Sequence, residues 1–84
     1  MKIELRMFMK YKAYCPSDSP DGKAMVFLKD GVTFGGLLDT LGIPRDEPKL
    51  VIINRILRND SDAANAETLS DGDVIAIFPP AAGG

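Results

Sequence analysis

Leu69-Ser70-Asp71-Gly72-Asp73-Val74-Ile75-Ala76-Ile77-Phe78-Pro79-Pro80-Ala81-Ala82-Gly83-Gly84 ends the sequence and carries most of its meaning. Ser70-Asp71-Gly72-Asp73 has the composition of a turn. Residues 74–78 form an apolar strand that needs burial between neighbours. Pro79-Pro80 stops the strand, because neither proline can donate to a ladder. Ala81-Ala82-Gly83-Gly84 then continues with no side chain larger than methyl.

Upstream, Leu50-Val51-Ile52-Ile53 is a continuous apolar run that fits a strand buried near a sheet centre. Asn54-Arg55 can turn it tightly into a short strand over residues 56–58. Residues 59–66 are polar or small and carry no periodic signal, and one helical turn is expected near Glu67-Thr68-Leu69. The helix before them is the clearest element. Thr33 can cap it by accepting a hydrogen bond from an early free N–H. Phe34, Leu37, Leu38 and Leu41 stand at i, i+3, i+4 and i+7 as one apolar stripe. Gly42 suits a left-handed ending, Ile43 can reach back to Leu38, and Pro44 forbids continuation. Gly35-Gly36 lowers helix propensity by about 1 kcal/mol per residue, so packing must hold this helix.

At the N-terminal end, Ile3, Leu5, Met7 and Met9 alternate with Lys2, Glu4, Arg6 and Lys10, the pattern of a half-buried strand. Phe8 breaks the alternation by falling on the charged side. Residues 12–23 read as a polar loop with a turn at Asp21-Gly22, and residues 24–28 as a second strand. The order is ββαββ plus a final strand, an α+β layer arrangement with one main helix on one face of a mixed sheet of four to five strands. Its first and last strands are expected to be parallel and adjacent.

With 84 residues the chain has room for a single domain, residues 1–84, with a flexible tail over residues 79–84. Its 45% apolar content is that of a folded protein, and its net charge of −2, spread without blocks, offers little attraction to nucleic acid or an anionic membrane. Cys15 is alone, so no intrachain disulfide can form. No signal-peptide pattern or membrane-length apolar run is present, and a cytoplasmic location is expected. Without histidine, a zinc site would need carboxylates almost exclusively, and Ser-His or Cys-His catalysis is impossible within the chain. Any chemistry must draw its catalytic groups from a partner.

The stretch from Leu69 to Gly84 closely resembles the C-terminus of the molybdopterin synthase small subunit (MoaD-like proteins). The thiamine sulfur carriers (ThiS-like) share the Gly72-Asp73 turn and the Gly83-Gly84 end but usually lack Phe78-Pro79-Pro80. Val51-Ile52-Ile53-Asn54-Arg55 is similar to the strand and turn these families place before the closing strand. Residues 12–23 differ from the family's usual connection, a short helical turn.

The resemblance implies a ubiquitin-like β-grasp fold and a sulfur-carrier cycle, with the chain itself a non-catalytic carrier subunit. An E1-like adenylyltransferase (MoeB/ThiF-like) would use ATP to adenylate the Gly84 carboxylate, and sulfur would displace AMP to give a thiocarboxylate. A large synthase subunit (MoaE-like) would pass that sulfur to a pterin precursor of the molybdenum or tungsten cofactor. The chain itself would bind no cofactor or metal. Gly83 lets the tail thread a narrow passage, Pro79 and Pro80 stiffen its stem, and Ala81 and Ala82 present no bulk. Phe8, Leu57 and Phe78 would form an exposed partner-binding patch opposite the helix, with Phe8 the most exposed, while Phe78 reads equally well as a core residue.

Cys15, in a polar loop with no histidine nearby, reads as inert. Lys10, Lys12 and Lys23 read as a solvated rim, and Asp39, Asp46 and Glu47 lack metal-ligand spacing. Two carrier-like alternatives remain open, a ubiquitin-like modifier conjugated through Gly84 and a thiamine-pathway carrier. A third, an RNA-associated β-grasp domain, is opposed by the acidic balance and the diglycine end.

Overall fold

Ile3, Leu5 and Met7 have no exposed surface while Lys2 and Arg6 face water, so the first strand, β1 (Lys2–Met7), has one dry face. A computed structural model describes residues 1–17 and 21–80. After β1 come a 3₁₀ helix (Met9–Tyr14), β2 (Lys23–Phe27), α1 (Phe34–Leu41), β3 (Leu50–Ile53), β4 (Ile56–Arg58), α2 (Ser61–Ala66) and β5 (Val74–Phe78). The strands form a five-stranded sheet in the order β2-β1-β5-β3-β4. β1 and β5 are parallel neighbours at its centre, and the other pairs are antiparallel. The single core lies between this sheet and the helices, where Phe34, Leu37, Leu38 and Ile43 meet the inward residues of β1, β3 and β5.

Local chemistry produces the elements. Thr33 caps α1 by accepting from the Gly36 N–H at 3.1 Å. Gly42, at φ 81°, closes the helix: its N–H goes to Asp39, and the Ile43 N–H reaches Leu38 at 2.9 Å. That pair of bonds is a Schellman ending. Asn54 and Arg55 both have positive φ, 52° and 71°, as a two-residue hairpin turn requires.

The turn before β5 clamps two others in place. The nearly buried carboxylate of Asp73 accepts from Asn54 Nδ2 and from the Ser70 N–H, each at 2.8 Å. Asn54 Oδ1 in return accepts the Val74 N–H at 2.9 Å. Asp71 takes the Lys2 N–H at 2.7 Å, and Gly72 donates to the Lys2 carbonyl. Among the described residues, no buried side-chain nitrogen or oxygen lacks a hydrogen-bond partner, as burial demands.

Four expectations are corrected. Met9 does not continue β1: at φ 55° it turns the chain into the 3₁₀ helix and is 72% exposed. The connection to β2 is therefore a short helical turn at its start rather than loop throughout. Tyr11, fully buried, is what anchors it, a signal hidden by polar neighbours. A second helix occupies residues 61–66, capped by Asp60, which accepts from Asp62 and Ala63. The segment expected to be helical instead pairs with the start of α1, through Phe34 N–H to Glu67 and Leu69 N–H to Val32. Finally, β3 alternates in burial, with Leu50 39% exposed and Ile52 half-buried beside buried Val51 and Ile53, because the helices cover only one sheet face.

Tyr11 ties the 3₁₀ helix to the loop before β3. Its hydroxyl donates to Glu47 Oε1 at 3.2 Å and to the Pro48 carbonyl at 3.3 Å. Lys10 also pairs with Glu47 and holds that carboxyl below its usual range. Burial, helped by Glu47, pushes the Tyr11 phenol from 10.0 up to about 12. The folded state thus binds this proton more tightly than the unfolded chain, so its contribution is intact below pH 10.0 and is lost as pH rises through about 12. Tyr11→Phe should cost about 1 kcal/mol at neutral pH and flatten the alkaline loss of stability, as measured by urea unfolding across that range.

Gly22 and Gly42 provide a second test. Both have positive φ, but a Cβ on Gly22 would lie 2.1 Å from the Met7 carbonyl oxygen, whereas one on Gly42 meets nothing within 4 Å. Gly42→Ala should cost about 1–2 kcal/mol, the left-handed penalty alone. Gly22→Ala should cost at least about 3 kcal/mol, because backbone must move as well. Urea midpoints of the two variants measure the difference.

Candidate functional site

Among the described residues nothing covers the sheet face opposite the helices, and strand register determines what it displays. Leu57 of β4 pairs with Ile52 of β3, and Ile52 pairs with Ala76 of β5. One step along, Leu50 pairs with Phe78. These side chains form an apolar area over β4, β3 and β5, with Leu57 46% exposed. Beyond β5 the face becomes charged: Lys2, Glu4 and Arg6 line β1, and Arg6 Nε donates to Glu4 Oε2 at 2.6 Å. Farther out, Met25 and Phe27 of β2 stand 49% and 76% exposed beyond that ridge.

Phe8 joins this face from the end of β1. Its backbone is extended, at φ −122° and ψ 144°, and its N–H donates to the Ile77 carbonyl at 3.1 Å. The side chain therefore keeps the open-face parity and meets Phe78. The two rings are nearly parallel, with centroids 4.1 Å apart and planes 6° apart. Phe8 is half-buried by this contact and is not the most exposed member of the patch. Leu57, Phe78 and Phe8 share the face, but Leu57 lies across β3 from the ring pair. Pro79 is half-buried and Pro80 exposed, immediately past the end of β5. Ala81, Ala82, Gly83 and Gly84 lie outside the described residues.

The other candidates gain little. Cys15 is half-buried, with Sγ 3.6 Å from Ser17 Oγ. Lys10 is paired with Glu47, and Asp39 with Arg45, which lowers the Asp39 carboxyl. Among the described residues, no group of three or more His, Cys, Asp or Glu side chains is placed to hold a metal ion. Among them, too, no helix is long and apolar enough to cross a membrane. A depression beside α2 is lined by Arg45, Asp62 and Asn65. The neighbouring Arg58 is bound in bidentate fashion to Glu67, at 2.7 and 2.9 Å, and Lys49 at the same wall donates to the backbone carbonyls of Pro44, Arg45 and Glu47.

The sequence profile of the ThiS family fits residues 19–84. The chain belongs to the ThiS family. The match extends through Gly83 and Gly84. No curated protein sequence matches at a significant level.

Solved structures agree on a ubiquitin-like β-grasp fold. The Haloferax volcanii HVO 2177 protein is 27% identical, with a TM-score of 0.75 over 100% of this chain and 87% of its own. SAMP1 from Haloferax volcanii is 23% identical, with a TM-score of 0.70 over the full length of both chains. A chain in the complex of subunits 1 and 2 of molybdopterin-converting factor from Helicobacter pylori is 21% identical, with a TM-score of 0.58 over the full length of both.

Leu50, Ile52, Met25 and Phe27 belong to the open face of this ThiS-family chain but were not singled out from sequence. The signal was strand parity, obscured because β3 is apolar on both faces and β2 is too short for clear alternation. The Phe8–Phe78 contact had no local signal, since its partners are 70 positions apart. A stacked aromatic pair contributes about 0.5–1.5 kcal/mol beyond area burial. A double-mutant cycle of Phe8→Ala and Phe78→Ala should return a coupling of that size, whereas Leu57→Ala and Phe8→Ala should add within about 0.5 kcal/mol. Urea unfolding of the single and double variants checks both.

Proposed function

We propose that this chain is a sulfur carrier of the molybdopterin synthase small-subunit type, with the Gly84 carboxylate as its working group. The observation that carries the reading is the course of β5. The strand is held between β1 and β3 and ends in Phe78-Pro79-Pro80 at the rim of an uncovered apolar face. In sequence this stem leads to Ala81-Ala82-Gly83-Gly84, inside the segment that the family profile matches. An activating enzyme needs those two features together: a surface to grip and a slender carboxylate to insert.

The chemistry follows from the weakness of a carboxylate as an electrophile. A Gly84 oxygen attacks the α-phosphorus of ATP on an E1-like adenylyltransferase, pyrophosphate leaves, and the acyl-adenylate now has AMP as leaving group. Hydrosulfide attacks the acyl carbon, the bond to AMP breaks and AMP leaves with its electron pair, and the proton lost from sulfur leaves a thiocarboxylate on the chain. The chain contributes no acid, base or metal to these steps. It binds through Leu57, Ile52 and the Phe78-Pro79-Pro80 stem, and glycine at 83 and 84 allows close approach within a narrow channel. The second partner is a large synthase subunit, the role suggested by the subunit 2 complex of the Helicobacter pylori protein. The setting is cytoplasmic, where the partners and ATP are found.

Deleting Gly84, or adding a residue after it, should abolish sulfur transfer and leave thermal unfolding unchanged. Displacing a reacting atom by about 1 Å can cost on the order of 100-fold in rate. One extended residue moves it by roughly 3.3 Å. The measurement is intact mass after incubation with activating enzyme, ATP and a sulfur donor. The parent should gain one oxygen-for-sulfur exchange and the variants none. An adduct with another protein in place of the exchange would identify a modifier, and a truncated chain that still acquires sulfur would defeat the proposal.

A further inference from the structure

Phe78 occupies an unusual place at the end of its strand. On one side it pairs with Leu50, but on the other the β1–β5 register ends one residue earlier, at Met7 and Ile77. Pro79 and Pro80 cannot prolong either ladder, since they have no N–H. Backbone pairing therefore flanks Phe78 fully only on the β3 side, the last bond on the β1 side being Phe8 N–H to the carbonyl of Ile77. The ring of Phe8 occupies the other flank, parallel to the Phe78 ring at a centroid distance of 4.1 Å.

Phe8 is itself held from both ends. Its N–H is bonded to Ile77 and its carbonyl accepts the Tyr11 N–H, both at 3.1 Å. Met9 follows in the left-handed region at φ 55°, a conformation that costs energy in a residue other than glycine and persists only where the surroundings enforce it. The turn takes the backbone out of the sheet directly after Phe8, so that ring, one residue past β1, is the last side chain in line with that strand to flank β5. Fully buried Tyr11 anchors the turn from below.

From this geometry we infer that Phe8 is a positioning residue for the Phe78-Pro79-Pro80 stem: it fixes the end of β5 from which the stem leaves the sheet. The inference rests on the carrier reading and adds to it that the orientation of the stem is set within the chain before any partner is met. Preorganisation of this kind lowers the ordering cost of insertion and acts on the reacting complex rather than on encounter. A residue that merely touches the enzyme would instead alter how tightly the carrier is held.

The test compares the full chain with Phe8→Leu, which keeps an apolar side chain but loses the flat ring, and Phe8→Tyr, which keeps the ring. Thermal unfolding establishes that each is folded. In single-turnover adenylation by an E1-like enzyme with ATP, Phe8→Leu should lower the rate at saturating carrier by at least about fivefold, with half-saturation changed by less than about twofold. Phe8→Tyr should restore the parent rate. In parallel, and without any enzyme, the backbone order parameter of Phe78 should fall in Phe8→Leu and recover in Phe8→Tyr.

A rise in half-saturation at an unchanged saturating rate would make Phe8 a contact for the enzyme and overturn the inference. No rate change in Phe8→Leu, or failure of Phe8→Tyr to rescue, would also overturn it. If the parent chain is not adenylated at all, the carrier reading fails separately, and the order parameter alone decides: unchanged Phe78 order in Phe8→Leu then overturns the positioning role.

Discussion

The parallel pairing of β1 with β5 is the constraint on which the rest of the structure depends. It joins the two ends of the chain at the middle of the sheet, so the last strand cannot be placed until the first is available. Non-local pairing of this kind pays its loop-closure entropy before any contact rewards it. Burial is the compensation. Ile3, Leu5 and Met7 on one strand and Ile75 and Ile77 on the other are wholly removed from water, where each fully buried large apolar side chain contributes about 1.5–3 kcal/mol.

Polar contacts then specify the register that burial makes favourable. Asp73 takes hydrogen bonds from Asn54 and Ser70, while its own carbonyl accepts the Glu4 N–H at 2.9 Å. The start of β5 is thereby fixed simultaneously to β1 and to the β3–β4 turn. At the far end the fixing is weaker, with one backbone bond to Phe8 and a ring stack in place of a ladder. The root of the strand is thus fixed by a polar network and its tip by the contact with Phe8.

The two faces of the sheet divide stability from recognition. The helix-side face holds the core, including Phe34 and Leu38, and a substitution there is felt throughout. The open face carries Leu57, Ile52 and Phe78 without a covering layer, and apolar area left exposed in this way marks an interaction surface. Its charged ridge of Lys2, Glu4 and Arg6 separates that area from Met25 and Phe27. The position of Gly35 shows how closely the helix side is packed: a Cβ there would meet Arg45 and the Asn65 carbonyl at 2.8 and 2.9 Å. The glycine that weakens α1 as a helix is what lets α2 approach it.

The sequence by itself determined the elements whose signals are local. The Thr33 cap, the Gly42-Ile43 ending, the Asn54-Arg55 turn and the proline stop after Phe78 each depend on residues within a few positions of one another. The α+β class, the diglycine end and the family resemblance were legible for the same reason. Tertiary structure decided whatever depended on a distant partner. Tyr11 turns a polar stretch into a 3₁₀ helix because a buried site and Glu47, 36 positions away, receive it. The apolar run of β3 alternates in exposure because only one sheet face is covered. Phe8, an apparent break in a strand pattern, became a support for Phe78 only when parallel pairing set the first strand beside the last. Local chemistry can be read along the chain, but which face of a strand is buried, and what stands next to it, is set by packing across the fold.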